Sequence, residues 1–220
     1  MKKFILKLLL WIFILLLVIF SILFGLGYLK YKDAINNLSL DDAVSEIRSS
    51  DNYVKLDDMS EDYKTAVVSI EDHRFYSHNG IDILSIVRSS YVNLKRKSFD
   101  YGASTITQQV GRNMYFTQEK SPIRKIAEIF VAYDLEKNYS KDEILELYLN
   151  IIYFGKGYYG IYDAAKGYFD KTPNELTFYE ATYLAGLPNA PSVYSEDYNL
   201  GEERRLQVVE AMKKYGYVDE

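Results

Sequence analysis

An unbroken apolar stretch near the N-terminus constrains this chain more than any other feature. After Met1-Lys2-Lys3, residues 4–29 are apolar save for Lys7, Ser21 and a few small or amphipathic positions. As a helix the stretch would be about 39 Å long at ~1.5 Å per residue, enough to cross a hydrocarbon core of about 30 Å with some tilt. A cleaved signal peptide has a shorter apolar region and a small-residue cleavage site, and no such site precedes Lys30-Tyr31-Lys32. The expectation is an uncleaved signal anchor with a cytoplasmic tip, residues 1–32. Lys2, Lys3 and Lys7 favour a cytoplasmic N-terminus, while Lys30 and Lys32 pull the other way. No second spanning stretch follows. A single-pass protein of the cell membrane, with its folded part extracytoplasmic, is the result.

Roughly 190 residues remain, enough for one ordinary domain with its own core. Cysteine is absent, which excludes disulfides and thiolate metal sites. Residues 33–59 are polar and acidic with scattered apolar positions, and read as a stalk or edge segment. Residues 60–220 read as the domain, mostly α. Ser60, Asp82, and Ser104 or Thr105 are helix starts. Another helix follows Pro122 and ends near Asn138. Ser140 to Glu143 and Thr177 to Glu180 are capping boxes. A last helix covers about 201–215. Residues 99–103, with Gly102, look like a flexible connection.

Charge is uneven. From Arg88 to Lys125 there are eight basic residues (Arg88, Lys95, Arg96, Lys97, Arg112, Lys120, Arg124, Lys125) against Asp100 and Glu119. That is net +6 in a chain of net −5, so the rest carries −11. An acidic protein that concentrates positive charge in one region faces an anion there, unless the run is only a solvated face or meets anionic lipid.

Two segments are over-specified for packing. Glu71-Asp72-His73-Arg74-Phe75-Tyr76-Ser77-His78-Asn79-Gly80 puts a carboxylate at the end of an apolar helix, followed by a polar, aromatic loop closed by glycine. Such a Glu suits acid or base work. In isolation a Glu-Asp pair at a helix end is usually just solvated. His73 and His78 lack a metal-binding spacing, and His78 suits a loop organiser. The second segment is Gly102-Ala103-Ser104-Thr105-Ile106-Thr107-Gln108-Gln109-Val110-Gly111-Arg112-Asn113. Its free N–H groups at a helix start favour an anion, and its amides and Arg112 suit sugar hydroxyls and phosphate oxygens. Glu128 can pair with Arg124 at i, i+4. Glu146 sits in a helix apolar on most sides, so it is either paired or lines a cavity.

These segments, in this order, resemble the peptidoglycan glycosyltransferases: the glycosyltransferase domain of class A penicillin-binding proteins and the monofunctional enzymes. The matching residues are 71–80, 102–109, Arg124-Lys125-Ile126-Ala127-Glu128, Lys141 to Asn150, and Ala185-Gly186-Leu187-Pro188 with Ala190-Pro191-Ser192. The resemblance covers about residues 50–218 and the anchor. It implies a lysozyme-like helical domain with a small membrane-proximal jaw. It implies lipid II and a nascent glycan strand as substrates, the bilayer as a partner, and inversion at C1 with release of undecaprenyl diphosphate. Cell-wall synthesis proteins are further candidate partners, and nucleic acid is not. Glu71 would be the general base, with Glu128 the second acidic residue. Arg88, Ser104, Gln108, Gln109, Arg112, Lys120, Arg124 and Lys125 would hold substrate and diphosphate. Asp72, Phe75, His78, Gly80, Glu146 and Asn150 would shape the site. No cofactor or dedicated metal site is required, with Mg2+ or Mn2+ left open at the diphosphate. The 99–103 connection would be a flap.

Some positions depart from the family pattern. Ala103 replaces a frequent Gly, Arg112 stands where Lys is usual, and Ala127 often corresponds to Lys. The transpeptidase motifs Ser-x-x-Lys and Lys-Thr-Gly do not occur, since Lys171-Thr172 is followed by Pro173, so the expectation is a monofunctional enzyme. A lysozyme-like glycan-cleaving enzyme and an inactive membrane-tethered scaffold are the alternatives. The basic segment favours polymerisation over cleavage, because cleavage releases no diphosphate. The presence of both Glu71 and Glu128 disfavours the scaffold.

Overall fold

The computed structural model describes residues 2–96, 102 and 104–218. The expected flap at 99–103, apart from Gly102, and Lys97 lie outside them.

Helix α1 (Lys2–Asn37) runs unbroken through the boundary expected near residue 32. Its first 20 or so residues are exposed, and Gly27 is the first buried position. Buried or half-buried residues then recur at Tyr31, Ala34, Ile35 and Leu38, a spacing of three and four that marks one helical face.

Of the two expectations for residues 33–59, a stalk or an edge segment, the stalk does not hold: the segment packs onto the domain. Helix α2 (Leu40–Arg48) starts at Ser39, whose hydroxyl accepts the Asp42 N–H, and it buries Leu40, Ala43 and Val44. Residues 53–56 are then strapped to helix α7 (Lys141–Ile151). Tyr53 donates its hydroxyl hydrogen bond to Glu146, whose other oxygen accepts the Leu56 N–H at 2.7 Å. Asn150 both accepts from Val54 N–H and donates to its carbonyl, at 2.8 and 2.9 Å. Polar residues spread through 33–59 hid these contacts in the sequence, because the partners lie about ninety positions away.

The remaining helices are α3 (Glu61–Glu71), α4 (Ile83–Arg96), α5 (Ile106–Tyr115), α6 (Pro122–Asn138), α8 (Gly160–Phe169), α9 (Phe178–Gly186), α10 (Pro191–Tyr194) and α11 (Tyr198–Lys214). No strand forms among the described residues, and only the isolated bridges Asn79–Ile81 and Tyr153–Tyr159 occur. Helix α7 is the centre: Ile144, Leu145, Leu147, Tyr148 and Leu149 are all at most 1% exposed. A helix apolar all round must be surrounded, and each such Leu or Ile contributes about 1.5–3 kcal/mol by leaving water. Helix α5 packs on α6 and α7, and α3 packs on α9 and α11. The capping boxes anticipated at Ser140 and Thr177 form, as does one at Thr105 with Gln108. Helix α8 was not anticipated, because it starts at Gly160 with no side-chain cap.

Helix α4 is the exception to burial. Asp82 caps it by accepting the Leu84 and Ser85 N–H groups at 3.0 and 3.1 Å. Its apolar residues Ile83, Leu84, Val87, Tyr91 and Leu94 are 56–81% exposed.

The loop after α7 turns back through Gly155, Lys156, Gly157 and Gly160, all at positive φ. At Gly160 a Cβ would lie 2.5 Å from the Asn150 carbonyl oxygen, whereas at Gly157 it meets open space. Gly157→Ala should therefore cost about 1 kcal/mol for the left-handed backbone alone. Gly160→Ala should cost distinctly more, read as midpoints in paired denaturant titrations.

Candidate active site

Glu71 is the last residue of α3, so the apolar helix delivers its carboxylate to the edge of a cleft. One oxygen accepts the Gln109 amide at 2.8 Å, and Gln109 in turn accepts from Arg112 at 3.2 Å. The other oxygen, Oε1, is buried and makes no hydrogen bond within the described chain. Behind it stand Tyr63 and Tyr148, both fully buried. Burial, and then the Glu71 charge, push both phenols well above the ordinary tyrosine range. They stay protonated.

The cleft has two lobes. One, of 540 Å3, is lined by Gln109, Arg112, Pro188, Asn189 and Tyr194. The other, of 580 Å3, is lined by His73, Asp82, Arg88, Glu210, Lys214 and Tyr215 among others. Ile70, Glu71, Gly102, Ser104, Arg204 and Gln207 line both, which places Glu71 at the seam. Each lobe is of the size that small-ligand sites take.

Asp72 borders the second lobe, but its carboxylate is taken up by the chain itself. Its side chain is 4% exposed. It accepts from His78 Nε2, which lies 3.0 Å from both carboxylate oxygens, and from the Ile106 N–H at 3.0 Å. This corrects the expectation of a free anion site at the start of α5: the anion at that helix N-terminus is the chain's own Asp72. His78 is the loop organiser anticipated. Gly80, at φ +75°, passes close to the Ala132 backbone. Its N–H goes to Glu136 at 2.9 Å and its carbonyl accepts the Thr105 hydroxyl at 2.6 Å. Phe75 is fully buried under the Lys141 ammonium, 4.4 Å from the ring centre.

Gln108, expected on the substrate, is 2% exposed, and its side-chain oxygen accepts the Thr105 N–H at 3.1 Å. It holds the helix start. Gln109, one residue on, lines the first lobe and bonds Glu71.

On α6, Glu128 is 1% exposed and holds two cations: Arg124 at 2.6 Å on one oxygen and Lys125 at 2.9 Å on the other. Lys125 also donates to Ser104 Oγ at 2.6 Å, joining α6 to the segment before α5. Burial lowers the Lys125 pKa and Arg112 and Arg124 push the same way, while Glu128 opposes. Lys120 is exposed between α5 and α6, and like Gln108, Arg124, Lys125 and Glu128 it lines neither lobe. Glu146 and Asn150 lie in the 53–56 strap rather than in the lobes. Among the described residues no group of three or more His, Asp or Glu converges on one point.

Sequence reasoning placed a last helix at about 201–215 but missed that this helix, α11, lines the cleft. Arg204, Gln207, Glu210 and Lys214 line the cleft, and Arg204 donates to Gln207 at 2.9 Å. Arg205 turns away, pairing with Glu202 and stacking over Tyr179. The three- and four-residue spacing of 204, 207, 211 and 214 was the available signal, but it says which residues share a face, not where that face points. At the helix end Tyr215 stacks on His73, with ring centres 4.1 Å apart.

A helical domain around one buried α7, with a carboxylate at the seam of a two-lobed cleft and cations lining both lobes, fits a lysozyme-like glycosyltransferase. Comparison with known proteins agrees. The transglycosylase family matches residues 40–213, so the chain belongs to that family and is a peptidoglycan glycosyltransferase. A Cupriavidus necator protein named provisionally as a transglycosylase is 46% identical over 167 residues, covering 76% of this chain and 72% of that one. Penicillin-binding protein 1A of Neisseria flavescens is 48% identical over 143 residues, and penicillin-binding protein 4 of Bacillus subtilis 40% over 167. These cover 65% and 75% of this chain but only 18% and 27% of those longer proteins.

Asp72→Ala should destabilise the protein by about 1–3 kcal/mol through the orphaned Ile106 N–H alone, read by denaturant unfolding. A second expectation concerns pH. Burial, then Arg88, hold His73 below the ordinary histidine pKa. The unfolded chain therefore binds more protons in that window, and stability falls with falling pH. The contribution is present above about 6.5 and is lost as pH drops through the lowered folded value. His73→Phe should flatten the drop in melting temperature between about pH 7.5 and 5.5 that wild type shows.

Proposed function

We propose that this chain polymerises lipid II into β-1,4-linked glycan strands, with Glu71 as general base. The observation that carries the reading is Glu71 at the seam of two sugar-sized lobes, with one oxygen fixed by Gln109 and the other unbonded. In this reading one lobe holds the incoming lipid II and the other the lipid-linked end of the growing strand. Glu71 takes the proton from the 4-hydroxyl of the incoming N-acetylglucosamine. That oxygen attacks C1 of the terminal N-acetylmuramic acid from the face opposite the diphosphate, so the configuration inverts. Undecaprenyl diphosphate departs with the bonding electrons.

The leaving group gains negative charge, and preorganised cations offset it best because they do not reorganise as the bond breaks. Arg112, Lys125 and Arg124 suit that role, and Arg112 grips a phosphate as a fork rather than a point. Glu128 touches no substrate in this scheme and acts by fixing two of those cations. Mg2+ or Mn2+ on a diphosphate draws its ligands largely from phosphate oxygens and water. Glu128 has both oxygens committed to Arg124 and Lys125, so the residues present do not fit a protein-held metal, and no step runs through one.

The lipid tails of both substrates explain the anchor. Helix α1 spans the membrane in this reading, with the domain extracytoplasmic, and the exposed apolar face of α4 lies in the outer leaflet. The bilayer and the glycan are the partners the reaction requires.

The test is incubation of the full chain with labelled lipid II and sizing of products on a gel. Wild type should give a ladder of glycan polymers, and Glu71→Gln should lower the rate about 10²–10⁴-fold. Breakdown of added glycan would point to a hydrolase. A folded protein that binds lipid II without polymerising it would sink the reading.

A further inference from the structure

Helix α6 has two working faces. At about 100° per residue, Arg124, Lys125 and Glu128 fall on one side and Ile123, Ile126, Phe130 and Asp134 on the other. The second side docks on α1. Gly27 is packed so closely that a Cβ there would sit 2.4 Å from Ile126. Phe130 is enclosed by Phe24, Tyr28 and Tyr31, with ring centres 5.2–5.4 Å away. Tyr31 donates its hydroxyl hydrogen bond to Asp134. The contacts advance together along both helices, so α6 runs parallel to α1. Gly27 faces both Ile123 and Ile126, so Arg124 and Lys125 lie nearly level with it, about 1.5–3 Å nearer the N-terminal end at ~1.5 Å per residue.

Nothing in the described chain packs on residues 4–22 of α1, which are all exposed. The 4–22 stretch would be about 28 Å long at ~1.5 Å per residue. A hydrocarbon core is about 30 Å. The length left free by docking is thus the thickness of a bilayer, and docking begins where the bilayer ends.

We infer that the α1–α6 contact, centred on Gly27 and Tyr31, is a depth gauge: it fixes the Arg124–Lys125 cation pair, and through Lys125 the Ser104 edge of the cleft, at the level of the lipid headgroups. The inference rests on the membrane-spanning, lipid-linked reading above. A lipid-linked diphosphate cannot leave headgroup depth without pulling its tail from hydrocarbon. Cations held rigidly at that depth, bonded to Ser104 of the cleft lining, meet it without lifting it. Gly27 and Tyr31 are positioning residues here, acting through α6.

The chain has no cysteine, so Ser121→Cys at the start of α6 gives one labelling position. In vesicles of phosphatidylethanolamine and phosphatidylglycerol, a fluorophore there should be quenched most by spin labels at headgroup depth. Gly27→Leu should move it outward by several ångströms. The same variant should lose at least tenfold in polymerisation of the long-chain lipid-linked substrate in vesicles. It should lose no more than twofold with a short-chain analogue in detergent, where height has no meaning. Unchanged depth, or equal loss in both settings by a protein that still melts cooperatively, would overturn the inference. Tyr31→Phe removes one oxygen and no packing volume. It should show the same split more weakly, and it decides the matter if the leucine variant does not fold. A wild type that polymerises neither substrate would refute the proposed function instead, and the depth measurement would still stand or fall alone.

Discussion

The Asp72 carboxylate is the contact on which the site depends. It ends α3 one residue after Glu71, reaches across to the first N–H of α5, and receives His78 from the loop between them. A charge-assisted bond at a helix N-terminus combines a hydrogen bond with the favourable end of the helix dipole. The end of α3, the loop that follows it and the start of α5 are thereby fixed to one another through one side chain. Glu136 repeats the arrangement one layer down, taking the Gly80 N–H, the Thr107 hydroxyl and Lys141. With the frame held twice, Glu71 and Gln109 meet at 2.8 Å without either being packed in place by substrate.

The cations divide into two populations. Arg124 and Lys125 are paired with a buried carboxylate, and Arg205 with Glu202 at the surface. Arg88, Arg112, Arg204 and Lys214 line the lobes and form no ion pair among the described residues. A cation with no protein counter-charge in a cleft retains its full attraction for an anionic ligand. One that is paired is held in place, with part of its charge already offset. The basic run visible from Arg88 to Lys125 contains both kinds, and composition alone cannot separate them.

Much of the fold could be read from the chain, and for local reasons. Caps such as Ser140 with Glu143 lie three residues apart, so helix starts are written where they occur. The apolar ring of α7 was also visible, and Glu146 was correctly seen as paired or cavity-lining, though its partners, Tyr53 and the Leu56 N–H, are distant. What stayed hidden was of two kinds. Long-range straps made residues 40–59 part of the core rather than a stalk. Orientation decided the rest: Gln108 and Gln109 are neighbours of the same chemistry, yet one caps a helix and the other touches Glu71. Likewise Arg204 enters the cleft while Arg205 leaves it. Adjacent helical residues point about 100° apart, and only packing says which direction is inward.

The buried Glu128 with its two cations has a consequence for how this protein can change over time. Removing the carboxylate leaves two positive charges crowded against each other, and removing either cation leaves part of a buried negative charge unmatched. No single step away from the set is neutral. Substitutions at 124, 125 and 128 should therefore be strongly non-additive, and the three positions are inherited, or lost, as one.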